Sequence, residues 1–446
     1  MTDAPVTAAP AVERPSPSRA RRSLFLSSVG NVFEWYDFTV YGFFAPYIAA
    51  TFFPQQDPIA GLLSTFLVFV IGFFARPVGG LIFGRITDRR GRKFVMLLSM
   101  LLMSIGALLI AVAPGYALAG ATGTVIVVLG RLCQGLSAGG EQGASGMFLV
   151  EWAGMGRRAF FGSFLNSAAT VGVLLGALLG AILTSALGVA VVTEWAWRIP
   201  FIIGALLALV VLFLRRSVEE TPVFRQIQAQ AAEERAAEAA KAAAVSAERR
   251  PRNGAVFFIV LGFIALWTST TFVTLTFMPT YAYAIVGVDA SGSLWATVLG
   301  AGLTAALIPV GGYISDRVGR RPVILWSVIG YLVLTVPLFA LIATTKAFWA
   351  VLLLEFILAF FSGPIGGVGI ALVIELYHGR HRGLLVSFTL ALGVTIFGGF
   401  GPYICTWLIS VTHQPISASY WVIFVALLTL IASFFLPKDL HKRELA

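Results

Sequence analysis

GRITDRRGRK, at residues 84–93, recurs with few changes as GYISDRVGRR at residues 312–321. Both copies follow the pattern G-x-x-x-D-R-x-G-R-[KR], and each lies between two long apolar runs. About half of the 446-residue chain separates them, which is the spacing expected of a duplicated half-chain. Arginine-rich loops can also arise independently through the positive-inside rule. The matched Gly, Asp, Arg and Gly positions favour duplication, so the chain is predicted to consist of two similar halves.

The composition is that of an integral membrane protein. Hydrophobic residues make up 58% of the chain and charged residues only 12%, whereas about a quarter of the residues in soluble domains are charged. Apolar runs of about 20 residues predict membrane helices, because a membrane β-barrel would show short alternating segments. The net charge of +10 does not indicate nucleic-acid binding, since the basic residues lie in short loops. The two cysteines lie in apolar runs and form no metal motif.

Apolar windows predict twelve membrane-spanning helices. They lie at residues 25–53, 60–83, 94–114, 123–150, 160–187, 197–214, 255–284, 293–314, 323–343, 347–376, 384–410 and 419–436. The predicted fold is therefore an all-α membrane protein of two pseudo-symmetric six-helix bundles, at residues 23–214 and 255–437. Residues 215–254 are interpreted as a cytoplasmic linker, in preference to a partner-binding helix. Residues 1–22 form a disordered cytoplasmic tail, and residues 438–446 form a second cytoplasmic tail.

The distribution of basic residues predicts the orientation of the chain in the membrane. Alternating loops place 27 of the 31 Lys and Arg residues on one side and only Arg198 and Lys346 on the other. The positive-inside rule makes the first side cytoplasmic, together with both termini. No apolar core of a cleavable signal precedes the first span. The expected location is the cell (inner) membrane, with many spans.

Polar and charged side chains inside the predicted spans mark the candidate site, because a charge near the bilayer centre costs about 2.5 to 3.5 kcal/mol. Glu34, Asp37 and Tyr41 share one face of the first span, and Arg131, Gln134 and Glu141 share one face of the fourth. Arg76 stands alone in the second span. The pattern suits a polar cavity in which a carboxylate exchanges a proton and an arginine binds an anion or controls that carboxylate. Buried ion pairs that only fix helix packing are the alternative. For Arg76, snorkelling or packing is an equal alternative, and Glu355 receives no role.

Charged residues at the cytoplasmic ends of the spans predict a gate. Glu151 and Glu375 end the fourth and tenth spans directly before basic loops, where arginines of the repeated motif can reach them. The predicted gate consists of Asp88, Arg92, Glu151, Asp316, Arg320 and Glu375. A surface ion pair contributes only about 0 to 1 kcal/mol. A shared network could nevertheless bias two conformations that differ by a few kcal/mol.

Two further patterns indicate helix packing. Six hydroxyl residues lie within residues 268–276 of the seventh span, and most are expected to bond the preceding turn of their own helix. Gly172, Gly176 and Gly180 of the fifth span lie four residues apart. This spacing permits close contact with a neighbouring helix.

The chain resembles the major facilitator superfamily, with twelve spans in two halves and the repeated motif after the second and eighth. Within the superfamily, five segments of the chain resemble the metabolite–proton symporter family: GNVFEWYDFTVYGFFAPYIAATFFP, RLCQGLSAGGEQG, EWAWRIPFIIG, RRSVEETPVF and IFGGFGPYI. Three further segments resemble the citrate and tricarballylate symporter branch of that family: TSTTFVTLTFMPTY, IPVGGYISDRVGRRPV and SFTLALGVTIFGG. Leu390 and Ala391 stand where many relatives carry Tyr-Asn, which argues mildly against the osmolyte and dicarboxylate branches. The first span reads EWYD, the commoner family form, where the citrate type reads EQFD.

The resemblance also implies roles for individual residues. It assigns Glu34, Asp37, Arg131 and Glu141 to substrate binding or proton coupling in a central cavity. It assigns a conformational gate to Asp88, Arg89, Arg92, Asp316, Arg317 and Arg320. An antiporter of the superfamily would carry a Gly-Pro signature in its fifth span, and residues 168–180 contain no proline. Symport is therefore expected.

The expected function is proton-coupled uptake of a small organic acid, citrate or a related tricarboxylate, by alternating access. The expected partners are the organic anion, protons and the lipid bilayer, with no nucleic acid, and a monomer is expected to suffice. No cofactor or metal is expected, because the proton gradient supplies the driving force. Alternatives are symport of a dicarboxylate, a shikimate-like acid or a zwitterionic osmolyte. A transporter-like sensor and a membrane enzyme are remote alternatives, and the four histidines, all in loops or tails, argue against the enzyme.

Overall fold

The fold is almost entirely helical. The computed structural model describes residues 17–53, 57–90, 92–139, 150, 156–216, 253–377, 382–437 and 440. The first half contains α1 (Pro17–Phe43, continued by Ala45–Phe52), α2 (Pro58–Arg90), α3 (Arg92–Val112), α4 (Ala121–Ala138), α5 (Arg158–Glu194) and α6 (Ile199–Arg216). The second half contains α7 (Gly254–Val286), α8 (Ala290–Val318), α9 (Arg320–Thr345), α10 (Phe348–Leu376), α11 (Arg382–Thr412) and α12 (Pro415–Phe434). Short helical turns at Tyr116–Ala119 and Ala196–Arg198 precede α4 and α6.

Length and apolar composition make these helices suited to a bilayer. Nine helices in the described ranges are long and apolar enough to span a membrane, and two more apolar helices, Leu97–Val112 and Ala196–Val210, are shorter. With α1 they make up the twelve predicted spans, and the chain is a multi-pass membrane protein. The predicted linker at residues 215–254 lies almost wholly outside the described residues, as do residues 1–16 and most of the predicted C-terminal tail. Residues 17–22, predicted as part of a disordered tail, belong to α1 instead.

The repeated motif lies mostly on helices, which corrects its interpretation as a loop. Helix α2 continues through Arg90 and α8 through Val318, because charged residues at a helix end can enter the aqueous phase while the backbone hydrogen bonds stay intact. Gly319 ends α8 with a positive φ of 97°, a conformation that glycine adopts most easily. The first glycine of the second copy, Gly312, contacts α5, because a Cβ there would lie 2.7 Å from the Ala159 carbonyl oxygen.

The two halves pack against each other along α5 and α8. Helix α5 also packs against α1 of its own half and α10 of the other half. Gly172 permits the contact with α1, since a Cβ on it would lie 2.3 Å from the Val32 carbonyl oxygen. The closest neighbours of a Cβ at Gly176 and Gly180 are Phe43 and Leu294 respectively. The predicted role of these glycines in close helix packing is confirmed.

Helix α7 departs from regular α-helical geometry. It is π-helical over Thr270–Phe277 and Tyr281–Val286, and α11 is π-helical over Val394–Gly399. Such segments are rare and occur often at functional sites. Most hydroxyls of α7 bond their own helix, as predicted: Thr268 donates to the Ile264 carbonyl at 2.9 Å. Ser269 instead donates to the Phe397 carbonyl of α11 at 2.7 Å, so it links the two π-helical segments.

Candidate functional site

A polar chain connects α1 and α4 inside the first half. The amide nitrogen of Gln134 donates to Asp37 Oδ2 at 2.6 Å, and its amide oxygen accepts from Arg131 Nη1 at 2.9 Å. Arg131 and Gln134 reach each other because residues three apart on a helix lie about one turn apart on the same face. Gly204 of α6 makes room for the acid, since a Cβ there would lie 2.7 Å from Asp37 Oδ1. The two predicted helical faces therefore meet.

The Arg131 guanidinium is fully buried, with 0% of the residue exposed. Its Cζ lies 4.5 Å from the ring centroid of Phe38, 4.8 Å from that of Tyr41 and 5.1 Å from that of Phe69. Nη2 donates a long hydrogen bond of 3.5 Å to the Phe69 carbonyl. Gly72 of α2 permits this position, because a Cβ there would lie 3.1 Å from Nη2. Nε has no hydrogen-bond partner among the described residues.

Arg76 is buried beside the same aromatic cluster. Only 2% of the residue is exposed, which rules out the snorkelling alternative in this conformation. Its Cζ lies 3.9 Å from the ring centroid of Phe38, and Trp35 and Phe73 lie at 5.8 and 5.0 Å. Glu34 is its electrostatic partner. Nε and Nη2 of Arg76 find no hydrogen-bond acceptor in the described part of the chain.

Two arginines and two carboxylates thus share one buried cluster around Phe38. Their charges balance when all four groups are ionised, as membrane interiors require. Three guanidinium nitrogens nevertheless make no hydrogen bond to described residues, and a buried donor without a partner costs about 1 to 3 kcal/mol. Planar guanidinium groups bind carboxylates through paired hydrogen bonds. The cluster is chemically suited to receive an anion that carries carboxylates.

Two cavities flank this cluster. One lies within the first half, and its lining includes Glu34, Asp37, Ser99 and Ser137. The other lies between the halves, and its lining includes Asn31, Trp35, Asn166, Trp267, Thr268 and Thr271. Glu34 and Asp37 therefore line the first cavity here, whereas the resemblance implied a central one.

Trp35 connects the cluster to the cavity between the halves. Its ring packs against Phe272 of α7 at a centroid distance of 5.6 Å, and its other neighbours include Arg76. Sequence reasoning did not assign a role to Trp35, Phe38 or Asn166. The run FEWYDF carried a signal, since aromatic rings that alternate with acids are suited to hold buried cations.

The gate residues predicted in the second copy of the motif form an ion-pair network. Arg320 binds Glu375 through two hydrogen bonds, from Nε at 3.0 Å and from Nη2 at 2.7 Å. Its Nη1 donates to Asp316 Oδ1 at 2.7 Å. All three side chains are at most 5% exposed. Arg317 is exposed and packs on the Tyr313 ring at 4.2 Å, apart from this network.

Asp316 also joins the two halves. It accepts hydrogen bonds from the backbone N–H groups of Ala159 at 3.1 Å and Phe160 at 2.9 Å, at the first turn of α5. The positive end of a helix dipole favours a carboxylate at this position. Arg158 adds a contact of 3.9 Å to Glu375. Sequence reasoning missed this α5 contribution, because the partners lie about 157 residues apart and carry no pairing signal.

Five of the predicted residues, or their side chains, lie outside the described part of the chain. Glu141 and Glu151 lie outside the described residues, and the side chains of Asp88, Arg89 and Arg92 lie outside them as well. Their roles stay predictions.

The opposite end of the molecule, away from the repeated motif, also joins the halves. Ser185 of α5 and Ser291 of α8 are hydrogen-bonded at 2.6 Å between their hydroxyl oxygens. Trp295 Nε1 donates to Ser185 at 3.2 Å. Thr280 of α7 donates to the Gly42 carbonyl of α1 at 3.3 Å. The described residues of the two halves therefore contact each other at both ends.

Comparison with known proteins identifies relatives over nearly the whole chain. A family model described as "Sugar (and other) transporter" matches residues 24–443. The citrate-proton symporter of Salmonella typhi is 34% identical over 427 residues, which cover 94% of each chain. The alpha-ketoglutarate permease of Escherichia coli (strain K12) is 35% identical over 453 residues and 99% of each chain. The proline/betaine transporter of the same strain is 30% identical over 418 residues, 93% of this chain and 82% of the other.

A solved structure supports the fold. The partially occluded inward open conformation of the xylose transporter XylE from E. coli superposes with a TM-score of 0.73 at 18% identity. The match covers 94% of this chain and 98% of that chain. The predicted arrangement of twelve helices in two halves is therefore confirmed.

Proposed function

The chain belongs to the sugar (and other) transporter family, and we propose that it is a proton-coupled symporter of a small organic acid, citrate or a related tricarboxylate. Relatives named as citrate-proton symporter and alpha-ketoglutarate permease support an organic-acid substrate. The match to a proline/betaine transporter supports a zwitterionic osmolyte as the second candidate. The guanidinium nitrogens that lack a partner among the described residues favour the acid.

The paired arginines carry the proposal. Arg76 and Arg131 are both buried, both contact Phe38, and both have guanidinium nitrogens without partners in the described ranges. Each guanidinium matches a carboxylate in geometry and charge. A substrate with two or more carboxylates satisfies both arginines, whereas a betaine offers only one carboxylate and adds a cation. The arrangement therefore favours di- and tricarboxylates.

Proton coupling follows from the link between Arg131 and Asp37. Gln134 connects Arg131 to Asp37 through two hydrogen bonds, one to each side chain. A substrate carboxylate that binds Arg131 draws the cation away from this link, and loss of a nearby positive charge favours protonation of the acid. The proton neutralises Asp37 as the substrate's negative charge enters. Substrate and proton thus bind together and leave together.

Alternating access requires the contacts at the two ends to break in turn. Opening at the motif end separates Asp316 from α5 and Arg158 from Glu375, whereas opening at the other end separates Ser185 from Ser291. We assign the motif end and both termini to the cytoplasm, on the distribution of Lys and Arg. The pH gradient and the membrane potential, about 2.3 kcal/mol per charge per 100 mV, supply the driving force without a cofactor. A monomer in the inner-membrane bilayer is expected to suffice.

Ligand binding to the purified protein tests the substrate class. Citrate and tricarballylate are expected to raise the unfolding temperature, since a ligand at 100 times its Kd stabilises by about 2.7 kcal/mol. Arg76→Gln and Arg131→Gln should abolish this shift, and Lys346→Gln, which changes an exposed cation, should keep it. Stabilisation by betaine and not by any organic acid would establish the osmolyte alternative instead.

A further inference from the structure

Glu355 is a buried carboxyl outside the site described above. It lies on α10 with 2% of the residue exposed, and its Oε1 lies 3.0 Å from the Thr297 hydroxyl of α8. It forms no ion pair with any described residue, in contrast to Glu375 on the same helix. An ionised carboxylate in such a place has no cation to balance it, which is costly in a membrane interior. The neutral, proton-bearing form suits this environment.

The hydrogen bonds of Thr297 agree with a proton on Glu355. The Thr297 hydroxyl lies 3.0 Å from Glu355 Oε1 and 3.3 Å from the Ser293 carbonyl oxygen. A hydroxyl has one hydrogen and cannot donate to both acceptors. If Glu355 carries a proton, it donates to Thr297, and Thr297 donates to Ser293. All three groups are then satisfied.

Glycine makes the space that this carboxyl occupies. A Cβ on Gly300 of α8 would lie 2.6 Å from the Glu355 Cβ and 2.8 Å from its Oε2. The carboxyl therefore fits against α8 only because position 300 has no side chain. Close packing of α10 against α8 therefore holds the Glu355 carboxyl inside the bundle.

A tyrosine connects this carboxyl to α7. The Tyr331 hydroxyl of α9 is close enough to Glu355 to interact with it electrostatically, and it lies near the hydroxyls of Thr274 and Ser362. It is buried, yet it makes no hydrogen bond of ordinary geometry to any described residue. Thr335, one turn further along α9, likewise has a buried hydroxyl without a partner in the described ranges. Buried hydroxyls without a partner are unusual, and a polar path that is completed in another conformation would account for them.

The path leads toward the space between the halves. Thr274 belongs to the π-helical segment Thr270–Phe277, and Phe272 of the same segment packs on Trp35 of α1. The groups that face Glu355 are Thr297 and Gly300 of α8 and Tyr331 of α9. Tyr331 is the titratable one among these, and no Lys, Arg or His of the described residues is paired with the carboxyl.

We propose that Glu355 is a second proton-binding residue, which exchanges its proton with the space between the halves through Tyr331 and Thr274. The inference rests on the proposed symport. The carboxyl proton passes to the Tyr331 oxygen, the Tyr331 proton passes to the Thr274 oxygen, and the Thr274 proton leaves its bond to the Thr270 carbonyl for water in the space between the halves. One proton and one positive charge therefore move in total. Movement of α7 during alternating access brings the Thr274 hydroxyl into a hydrogen bond with the Tyr331 hydroxyl. A second proton helps a polyvalent anion to enter a negative interior.

Infrared spectroscopy of the full-length protein in lipid nanodiscs tests proton binding without any substrate. The expected result is a carbonyl band of a protonated carboxyl that Glu355→Gln removes and that Glu194→Gln, which alters an exposed carboxylate, leaves in place. Tyr331→Phe keeps the carboxyl and should retain the band while it slows deuterium exchange into it. A band that survives Glu355→Gln, or exchange that Tyr331→Phe does not slow, overturns the inference.

The proton-to-substrate ratio in proteoliposomes tests the coupling role. Glu355→Gln should lower the ratio by one proton and leave exchange of labelled for unlabelled substrate intact. An unchanged ratio refutes the second site even where wild-type symport is demonstrated. If the wild-type protein transports no organic acid at all, the proposed function fails, and the infrared result still decides whether Glu355 holds a proton. If Glu355→Gln does not fold, Thr297→Val provides the second variant, because it shifts the same band without removing the acid.

Discussion

Gln134 donates to Asp37 over 2.6 Å, and among the described residues this amide links Arg131 to the acid through hydrogen bonds. An arginine that held the carboxylate directly would release it only at the cost of breaking a buried ion pair, about 3 to 5 kcal/mol. A neutral amide between them lowers that cost. The relay therefore lets the acid exchange a proton when the arginine turns to a substrate.

Asp37→Asn is expected to separate exchange from accumulation. The amide keeps the shape of the side chain but cannot bind and release a proton. Exchange of labelled for unlabelled substrate across proteoliposomes should continue, while accumulation driven by an imposed proton gradient should be lost. Glu194→Gln should leave both activities at the wild-type level. Gradient-driven accumulation by Asp37→Asn would remove this acid from the coupling mechanism.

Gly204→Ala should disturb the acid through packing alone. The added methyl group would lie 2.7 Å from Asp37 Oδ1, and overpacking of this kind costs about 1 to 3 kcal/mol. We expect weaker coupling and a lower unfolding temperature. The matched control is Gly302→Ala, whose methyl group meets only Leu174 at 3.4 Å. Equal effects of the two substitutions on transport would contradict the proposed close approach.

Phe38→Leu tests the ring that both guanidinium groups contact. Each cation–π contact contributes about 2 kcal/mol when it is desolvated, so loss of the ring should lower the unfolding temperature and weaken substrate binding. Phe38→Tyr preserves the ring face and should restore most of both properties. Thermal unfolding with and without citrate measures the effect. If leucine serves as well as tyrosine, the ring does not hold the arginines in place.

Arg320→Ala should release the gate at the motif end. It removes both hydrogen bonds to Glu375 and the bond to Asp316, and breaking a buried pair costs about 3 to 5 kcal/mol. A cysteine introduced at Ser163, near the start of α5, should then react faster with a water-soluble thiol reagent. Arg317→Ala changes an exposed arginine outside the network, so its reaction rate should match that of the parent. A gate that stays closed in Arg320→Ala would show that other contacts hold it.

The sequence predicted those features that depend on one helix at a time. Apolar length located the twelve spans, and helical spacing placed Asp37 on a face that meets Arg131 and Gln134. The motif and the helix-ending carboxylate predicted the pairing of Arg320 with Glu375, because each is the nearest opposite charge at a helix end.

Features that depend on how helices pack were not predictable. Phe38 carries no charge, so only the packed structure reveals its contact with two arginines. Asp316 bonds backbone groups of α5, which have no side-chain signature. Glu355 lies in an apolar run, and its partner Thr297 is on another helix. The motif was interpreted as a loop because a charged stretch between two apolar runs is typical of a loop. Helices can, however, extend beyond the bilayer.

Uptake of labelled citrate into proteoliposomes with an imposed inward proton gradient tests the central claim most directly. We expect citrate to accumulate when the gradient is imposed. Excess unlabelled tricarballylate should suppress this accumulation, and excess betaine should not. Arg131→Gln should abolish it, whereas Lys346→Gln should retain it. Accumulation of betaine without citrate, or citrate uptake that is indifferent to both the gradient and Arg131, would contradict the central claim.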